Sequence, residues 1–236
     1  MDLPFVKTDS GDFNVNEDRH FVDTEIPLYA VLDGEFENGY AAELVKKRIE
    51  EHLNDLRAAV RTSPECAEKT VVDILSKANE QLIHIPKGAA GFSSGTTVTL
   101  CCVVENELVV AHIGDSRLYI LKDDVWAKVT RDHTLAADNE AAGVVLTDRI
   151  EKSWALGVVT RVIGFPGPNI DIHRIDIQGV SKILLCTDGI WKSVDEAGDA
   201  KIFPLLKLNE EIGKRICDAV REKSFRENST IIVASI

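Results

Sequence analysis

Short apolar runs separated by turn residues divide the chain and predict buried strands. Residues 28–32 (LYAVL) contain no charged position and end at an Asp-Gly pair that begins with Asp33, which is typical of a buried strand stopping at a turn. Residues 182–186 (KILLC) are followed, after one threonine, by a second Asp-Gly pair at Asp188. The final residues, 230–236 (TIIVASI), predict another buried strand.

Other stretches have the spacing of amphipathic helices. Apolar residues recur every three or four positions over 44–60, which predicts a helix of roughly 20 residues. The same spacing over 71–82 predicts a second helix, which Pro86 and Gly88 end. Residues 211–221 predict a further helix near the end of the chain.

Between these helices the period changes to that of strands. Residues 96–104, 108–113 and 117–121 are rich in β-branched and apolar side chains and predict an antiparallel meander. Together with the helices they indicate an α+β fold, a sandwich of antiparallel sheets covered by helices, formed by one domain over residues 1–236. Residues 134–160 lack a clear period, and we expect a mobile helical or loop insertion there.

Composition and charge exclude several classes of partner. The 236 residues include 39 acidic and 27 basic side chains, giving a formal net charge of −12, which argues against nucleic acid and membrane surfaces. No apolar run reaches the ~18 residues that cross a bilayer, and the amino terminus does not resemble a signal peptide. The five cysteines form no CxxC pair, and we expect reduced thiols in a cytoplasmic protein.

The candidate chemistry lies in carboxylates next to predicted buried strands. Asp33 and Asp188 each follow such a strand, Glu17 and Asp18 lie near the amino terminus, and Glu227 precedes the last strand. If these side chains converge, their repulsion and desolvation require a cation. Oxygen ligands favour Mg²⁺ or Mn²⁺. Taken singly, an Asp-Gly pair after a strand is more often a turn than a metal ligand.

An ordered set of short motifs gives the carboxylates a context. With these motifs the chain resembles the metal-dependent protein phosphatase type 2C (PPM) family, and its compact bacterial-type members in particular. The motifs are NED (16–18), VLDG (31–34), SGTT (94–97), GDSR (114–117), DHT (132–134), VTRVIG (159–164), LLCTDGIW (184–191) and ENSTIIV (227–233).

This resemblance implies a four-layer αββα sandwich with the metal centre between its sheets. It implies a serine/threonine protein phosphatase in which Asp33 and Asp188 are catalytic and a metal-bridging hydroxide attacks the phosphorus of phosphoserine or phosphothreonine. A phosphorylated protein is the expected partner, a kinase is a further candidate, and we expect a monomer. The resemblance also implies a role for each metal ligand. Asp33 would bridge two ions, the carbonyl of Gly34 would bind one of them, and Asp188 with Glu227 would complete the site of the other. Glu17 and Asp18 would hold metal-bound waters, and Asp115 with Asp188 would form a third, weaker site.

Several positions depart from the family pattern on the substrate side. The arginine that usually precedes NED and binds the substrate phosphate is replaced by Phe13. Arg19 and Arg161 are candidates to replace it. Lys192 stands where an acid is common, and its ammonium would either repel metal or assist phosphate binding.

Two further departures concern the metal side. Glu35 takes the place of the histidine or methionine that usually follows the first Asp-Gly pair, and beside two dications its pKa should be lowered, making it a poor acid. Glu227 replaces an aspartate and stays an oxygen ligand.

Two alternative functions use the same residues differently. A serine hydrolase is suggested by residues 91–95 (GFSSG) with Asp132 and His133 downstream, but the nucleophile elbow needs a strand before its serine, and here a helix precedes it. We therefore expect His133 to be structural. The stronger alternative is a pseudophosphatase, a regulatory binding module for a phosphoprotein or kinase. Trp154 and Trp191 are expected in the core.

Overall fold

The computed structural model describes residues 3–23, 25–35, 39–85, 94–194, 212–223 and 226–236. The elements are, in chain order, β1 (Phe5–Asp9), β2 (Arg19–Asp23), β3 (Leu28–Leu32), β4 (Gly34–Glu35), α1 (Tyr40–Glu51), α2 (Leu53–Val60), α3 (Pro64–Ile83), β5 (Gly95–Thr96), β6 (Val98–Val104), β7 (Glu107–Ile113), β8 (Arg117–Lys122), β9 (Val125–Lys128), α4 (Leu135–Ala141), α5 (Arg149–Gly157), β10 (Asp171–Asp176), β11 (Val180–Cys186), α6 (Asp188–Val194), α7 (Ile212–Arg221) and β12 (Ser229–Ser235).

Two five-stranded antiparallel sheets form the centre of the fold. One sheet has the order β1-β12-β11-β8-β9 and the other has the order β10-β7-β6-β3-β2. Helices α1, α2 and α3 pack on the second sheet, while α6 and α7 pack on the first. The predicted four-layer αββα sandwich is confirmed. Strands β4 and β5 form a small separate ribbon beside it.

The apolar strands are buried because each of their faces meets a different hydrophobic layer. On β3, Leu28 and Leu32 pack in the core beneath α1, α2 and α3. Tyr29 and Val31 on the same strand pack in the core between the two sheets. β11 divides its residues between the inter-sheet core and the core under α6 and α7 in the same alternating way. Such double burial explains why both strands read as continuous apolar runs.

Two predicted elements differ from the structure. The predicted single helix over 44–60 is two helices, α1 and α2, because His52 between them leaves the helical conformation with φ −104° and ψ 18°. The predicted meander is also wrong in its last strand. β6 pairs with β7, but β8 pairs with β11 and β9 in the other sheet. The link between β7 and β8 therefore crosses from one sheet to the other.

Residues 134–160 contain α4 and α5, each started by a side-chain cap. Thr134 Oγ1 accepts a hydrogen bond from the backbone of Ala137, and Asp148 caps the start of α5. The mobility of this segment stays a prediction. Trp154 on α5 is 63% exposed, so its predicted core position is wrong, whereas Trp191 is buried as expected. An exposed tryptophan results because α5 packs mainly on α4.

The state of the cysteines and the apolarity of the helices were also predicted from the sequence. All five cysteines are free, and all but Cys66 are buried. Within the described ranges, none of the helices has the length and apolarity needed to traverse a lipid bilayer. The predicted cytoplasmic location stays a prediction.

Candidate metal centre

Three aspartates from separate parts of the chain meet at one end of the sandwich. Asp33 follows β3, Asp188 begins α6 one residue beyond the end of β11, and Asp115 lies in the link that crosses between the sheets. One ligand oxygen of each carboxylate lies within 4.8 Å of those of the other two. Since β3 and β11 belong to opposite sheets, the sandwich itself brings these side chains together.

The threonines of the SGTT motif hold the backbone around Asp33. The hydroxyl of Thr96 donates a hydrogen bond to the carbonyl oxygen of Asp33 (2.8 Å), and the amide of Thr97 donates to the same oxygen (2.9 Å). The amide of Asp33 donates in turn to Thr97 Oγ1 (3.2 Å). Gly34 is required by close packing, because a Cβ there would lie 2.6 Å from the carbonyl oxygen of Glu17.

Thr187 connects Asp18 to the strand that precedes Asp188. Its hydroxyl donates to Asp18 Oδ2 (2.8 Å) and accepts from the amide of Thr230 (2.9 Å). The chain then turns into α6 through Gly189, where a Cβ would lie 2.0 Å from the carbonyl oxygen of Asn228. Sequence reasoning did not identify Thr187 as a support for Asp18; the signal was its position directly before the second Asp-Gly pair.

The remaining predicted ligands lie around the same cleft, which has a volume of about 640 Å³. Glu17 and Glu227 line it together with Asp33, Gly34 and Asp188. Asn228, which sequence reasoning missed, accepts a hydrogen bond from the amide of Glu17 through Oδ1 (2.7 Å) and so fixes the NED segment beside the last strand. Asp18 is buried behind the cleft, and its Oδ1 has no hydrogen-bond partner among the described residues.

Asp115 is held by a stack of buried side chains. The indole Nε1 of Trp191 donates to the carbonyl oxygen of Asp115 (2.9 Å). The Arg117 guanidinium lies 3.6 Å above the Trp191 ring and forms a two-pronged salt bridge with Asp132, with distances of 3.0 and 2.6 Å. Arg117 of the GDSR motif and Asp132 of the DHT motif thus hold the Trp191 ring, which in turn positions the backbone at Asp115.

Burial and mutual repulsion control the ionisation of the cluster. Burial, followed by the charge of Asp188, holds the pKa values of Asp33 and Asp115 well above the usual range of a carboxyl group. Burial is also the main cause that raises the pKa of Asp18 to about 7. For Asp188, burial is outweighed by the Lys192 ammonium and other hydrogen bonds, and its pKa is lowered.

Glu35 differs from its expected behaviour in the protein alone. Burial and the charge of Asp188 raise the pKa of Glu35 to about 7. The sequence analysis expected a lowered pKa for Glu35 because it placed two divalent ions beside this side chain. The raised pKa is that of the protein without metal, so the two values belong to different charge states of the site.

The donor set fits a hard divalent cation. All three converging groups are carboxylates, with no histidine or thiol among them, which matches Mg²⁺ or Mn²⁺ and not zinc. Both carboxylate oxygens of Asp115 are buried without a hydrogen-bond partner in the described part of the chain. Buried carboxylate oxygens that accept no hydrogen bond are costly unless a cation compensates them.

The substrate side of the cleft has few cations. Phe13 lines the cleft and is 51% exposed. Arg19 pairs with Glu43, and Arg161 donates to Asp171 Oδ1 at 3.3 Å; neither lines the cleft. Among the described residues that do, Lys192 is the one cationic side chain.

His133 has the structural position that was expected for it. Its Nδ1 accepts from the amide of Gly114 (3.1 Å), and its Nε2 lies 3.0 Å from Asp171 Oδ2. Asp132 pairs with Arg117, so these two residues do not form a dyad. The proposed nucleophile elbow lies mostly outside the described residues.

The comparison with known families agrees with this geometry. The sequence model of the protein phosphatase 2C family matches residues 23–230. The chain belongs to the protein phosphatase 2C family. The predicted family resemblance is thereby confirmed.

Individual relatives within the protein phosphatase 2C family are distant in sequence. The serine/threonine phosphatase stp of Listeria innocua is 23% identical over 230 residues, covering 95% of this chain and 88% of that protein. The phosphatase PstP of Mycobacterium tuberculosis is 25% identical over 144 residues, covering 60% of this chain and 27% of that protein.

Solved structures of bacterial phosphatases have the same fold. Stp1 from Staphylococcus aureus superimposes with a TM-score of 0.83 at 22% identity, covering 99% of this chain and 94% of that one. PstP/Ppp from Mycobacterium tuberculosis gives a TM-score of 0.80 at 23% identity, covering 99% and 98%.

Proposed function

We propose that this protein phosphatase 2C family member is a metal-dependent serine/threonine protein phosphatase that hydrolyses phosphoserine and phosphothreonine. The observation that carries the proposal is the convergence of Asp33, Asp115 and Asp188 within 4.8 Å in an open cleft, with neither Asp115 oxygen accepting a hydrogen bond from a described residue. The names of the bacterial relatives, serine/threonine phosphatases, support the same substrate class.

Each predicted ligand other than Asp115 has a proposed role at this centre. Asp33 and the carbonyl of Gly34 would hold Mg²⁺ or Mn²⁺ from the β3 side, and Asp188 with Glu227 from the β11 side. Glu17, in the lining of the cleft, and Asp18, buried behind it, would orient water at the centre. Divalent ions held there would supply a nucleophilic water of lowered pKa and would offset charge on the phosphoryl oxygens. The protein keeps the ligands in place through Thr96, Thr97, Thr187, Trp191 and Asn228.

The cleft also suits a phosphoprotein better than nucleic acid or a membrane surface. Its lining is mostly acidic and apolar, with Lys192 as its cation within the described residues, so a polyanion would be repelled. We propose a phosphorylated protein as the partner, a kinase among the candidates, and a cytoplasmic monomer as the working form.

Metal-dependent turnover is the first expected result. The purified chain with Mn²⁺ should hydrolyse para-nitrophenyl phosphate and a phosphothreonine peptide, because the carboxylate cluster needs a cation to become an active site. Chelation with EDTA should remove the activity, and added Mn²⁺ should restore it. Turnover unaffected by EDTA would contradict the proposal.

A pseudophosphatase is the second candidate, and two observations favour it. Phe13 occupies the position of the usual phosphate-binding arginine, and Lys192 places a cation within the carboxylate cluster. Calorimetric titration with Mn²⁺ shows whether a metal centre exists, and together with the hydrolysis assay it separates the two candidates. Tight Mn²⁺ binding without hydrolysis of either substrate would support the binding module.

Restoring a guanidinium at residue 13 should strengthen catalysis. Phe13→Arg would add a charge-assisted bond to the substrate phosphate at the lip of the cleft, a contribution of ~1.5–3 kcal/mol. We therefore expect kcat/KM for a phosphothreonine peptide to rise about tenfold to a hundredfold, measured by steady-state phosphate release.

The control places the same charge away from the cleft. Val125 on β9 is 65% exposed, so Val125→Arg should leave kcat/KM nearly unchanged. An equal gain in both variants would mean that general electrostatic attraction is responsible. No gain with Phe13→Arg would show that this position does not reach the phosphate.

A further inference from the structure

Lys192 lies within the carboxylate cluster that the metal centre requires. It is one helical turn after Asp188 on α6, and its Nζ donates a hydrogen bond to Asp188 Oδ2. The same Nζ lies 3.7 Å from Asp115 Oδ2. The lysine side chain is only 26% exposed. One ammonium therefore contacts two of the three converging carboxylates.

Asp115 is the carboxylate with the fewest other partners. It is fully buried, and neither of its oxygens accepts a hydrogen bond from a described residue. The Trp191 indole binds its backbone carbonyl and not its carboxylate. In the described part of the chain, Lys192 is the cation that forms an ion pair with Asp115. A desolvated carboxylate needs such a charge beside it.

The ammonium of Lys192 occupies the space between two carboxylates. Its Nζ donates a hydrogen bond to Asp188 and lies 3.7 Å from Asp115 Oδ2. An ammonium and a divalent cation cannot share the same pair of oxygens closely. In a partly buried site their repulsion at contact distance is well above thermal energy.

We infer that the Lys192 ammonium takes the place of a third divalent ion between Asp115 and Asp188, so that the centre of this chain holds two ions. Asp115 then acts as the partner of a lysine and not as a metal ligand. The inference rests on the proposed function, since it assumes that Asp33 and Asp188 bind metal. It also decides between the two roles considered for Lys192, repelling metal and assisting phosphate binding. An ammonium that contacts two carboxylates excludes a metal ion from the space between them.

The number of bound ions tests the inference directly. Equilibrium dialysis at millimolar Mn²⁺ followed by elemental analysis should give two ions per wild-type chain and three per Lys192→Asp chain. The matched control is Lys77→Asp, since Lys77 also forms an i,i+4 pair, with Asp73 on an exposed helix surface, and should stay at two ions. Three ions in the wild type, or no gain in Lys192→Asp, would overturn the inference alone. A wild-type chain that binds no Mn²⁺ would overturn the proposed function as well.

A second measurement needs no metal. In EDTA at pH 8, Lys192→Met should raise the unfolding constant in urea roughly tenfold or more, because it leaves buried carboxylates without their cation. Lys77→Met should change it by less than about threefold, as expected for an exposed pair. Equal stability of Lys192→Met and the wild type would show that the ammonium does not balance the cluster.

Discussion

Replacing Asp33 with asparagine is expected to reduce Mn²⁺-dependent hydrolysis of a phosphothreonine peptide by about a thousandfold or more. The amide keeps the size of the side chain and removes the negative charge that Asp33 contributes beside Asp115 and Asp188. Metal-ion catalysis supplies several kcal/mol of transition-state stabilisation, and each ~1.4 kcal/mol changes the rate tenfold. The measurement is kcat at saturating peptide with Mn²⁺ in excess.

The same variant should be more stable than the wild type when metal is removed. Burial and neighbouring carboxylates raise the pKa of Asp33, so a neutral amide relieves a charge that the metal-free fold disfavours. A higher thermal midpoint in EDTA would separate loss of function from misfolding. Asp73→Asn, on the exposed surface of α3, should change neither property. Retained activity in Asp33→Asn would remove this residue from the catalytic centre.

The parts of the site on apolar strands were predictable from sequence. Both β3 and β11 are buried on two faces, so their sequences are continuous apolar runs that are recognisable as strands. The Asp-Gly pairs that follow these runs were therefore recognisable as well. The convergence of Asp33 with Asp188 depends on β3 and β11 lying in opposite sheets. The family resemblance implied this arrangement, and the spacing of the residues alone did not.

Features that depend on how the elements are arranged were less predictable from the sequence. The change of sheet at β8 leaves no mark in a local pattern, because a strand in either sheet has the same alternation. The contact of Lys192 with Asp188 follows from their i,i+4 spacing only once α6 is known to begin at Asp188. The exposure of Trp154 likewise depends on how α5 packs, which its own sequence does not specify.

The metal-free protein should lose stability as the pH rises from about 6.5 to 8. The folded-state pKa values of Asp18 and Glu35 are raised to about 7, and those of Asp33 and Asp115 are raised well above the usual range of a carboxyl group. Free carboxyl groups titrate near pH 4, so the folded state holds more protons in this window. The stability these groups contribute is complete below pH ~4 and is lost as the pH rises through the folded pKa values, by ~1.4 kcal/mol per pH unit for each retained proton.

Other titrating groups limit the pH range in which the carboxyl cluster controls stability. Burial lowers the pKa of His20, His112 and His133, so these residues increase stability as the pH rises, but only up to the unfolded value near 6.5. The buried thiols have raised pKa values, and they reduce stability only above about pH 8.5. Between these limits the carboxyl cluster governs the slope.

Urea unfolding in EDTA and in Mn²⁺ across pH 6.5 to 8 measures this linkage. In EDTA the free energy of unfolding should fall, and in Asp33→Asn it should fall less steeply because one titrating group is gone. Mn²⁺ binding displaces protons from its ligands, so its affinity and the stabilisation it gives should increase over the same range. A free energy of unfolding in EDTA that rises with pH would mean that the buried carboxylates are already ionised, and that cations other than bound metal compensate them.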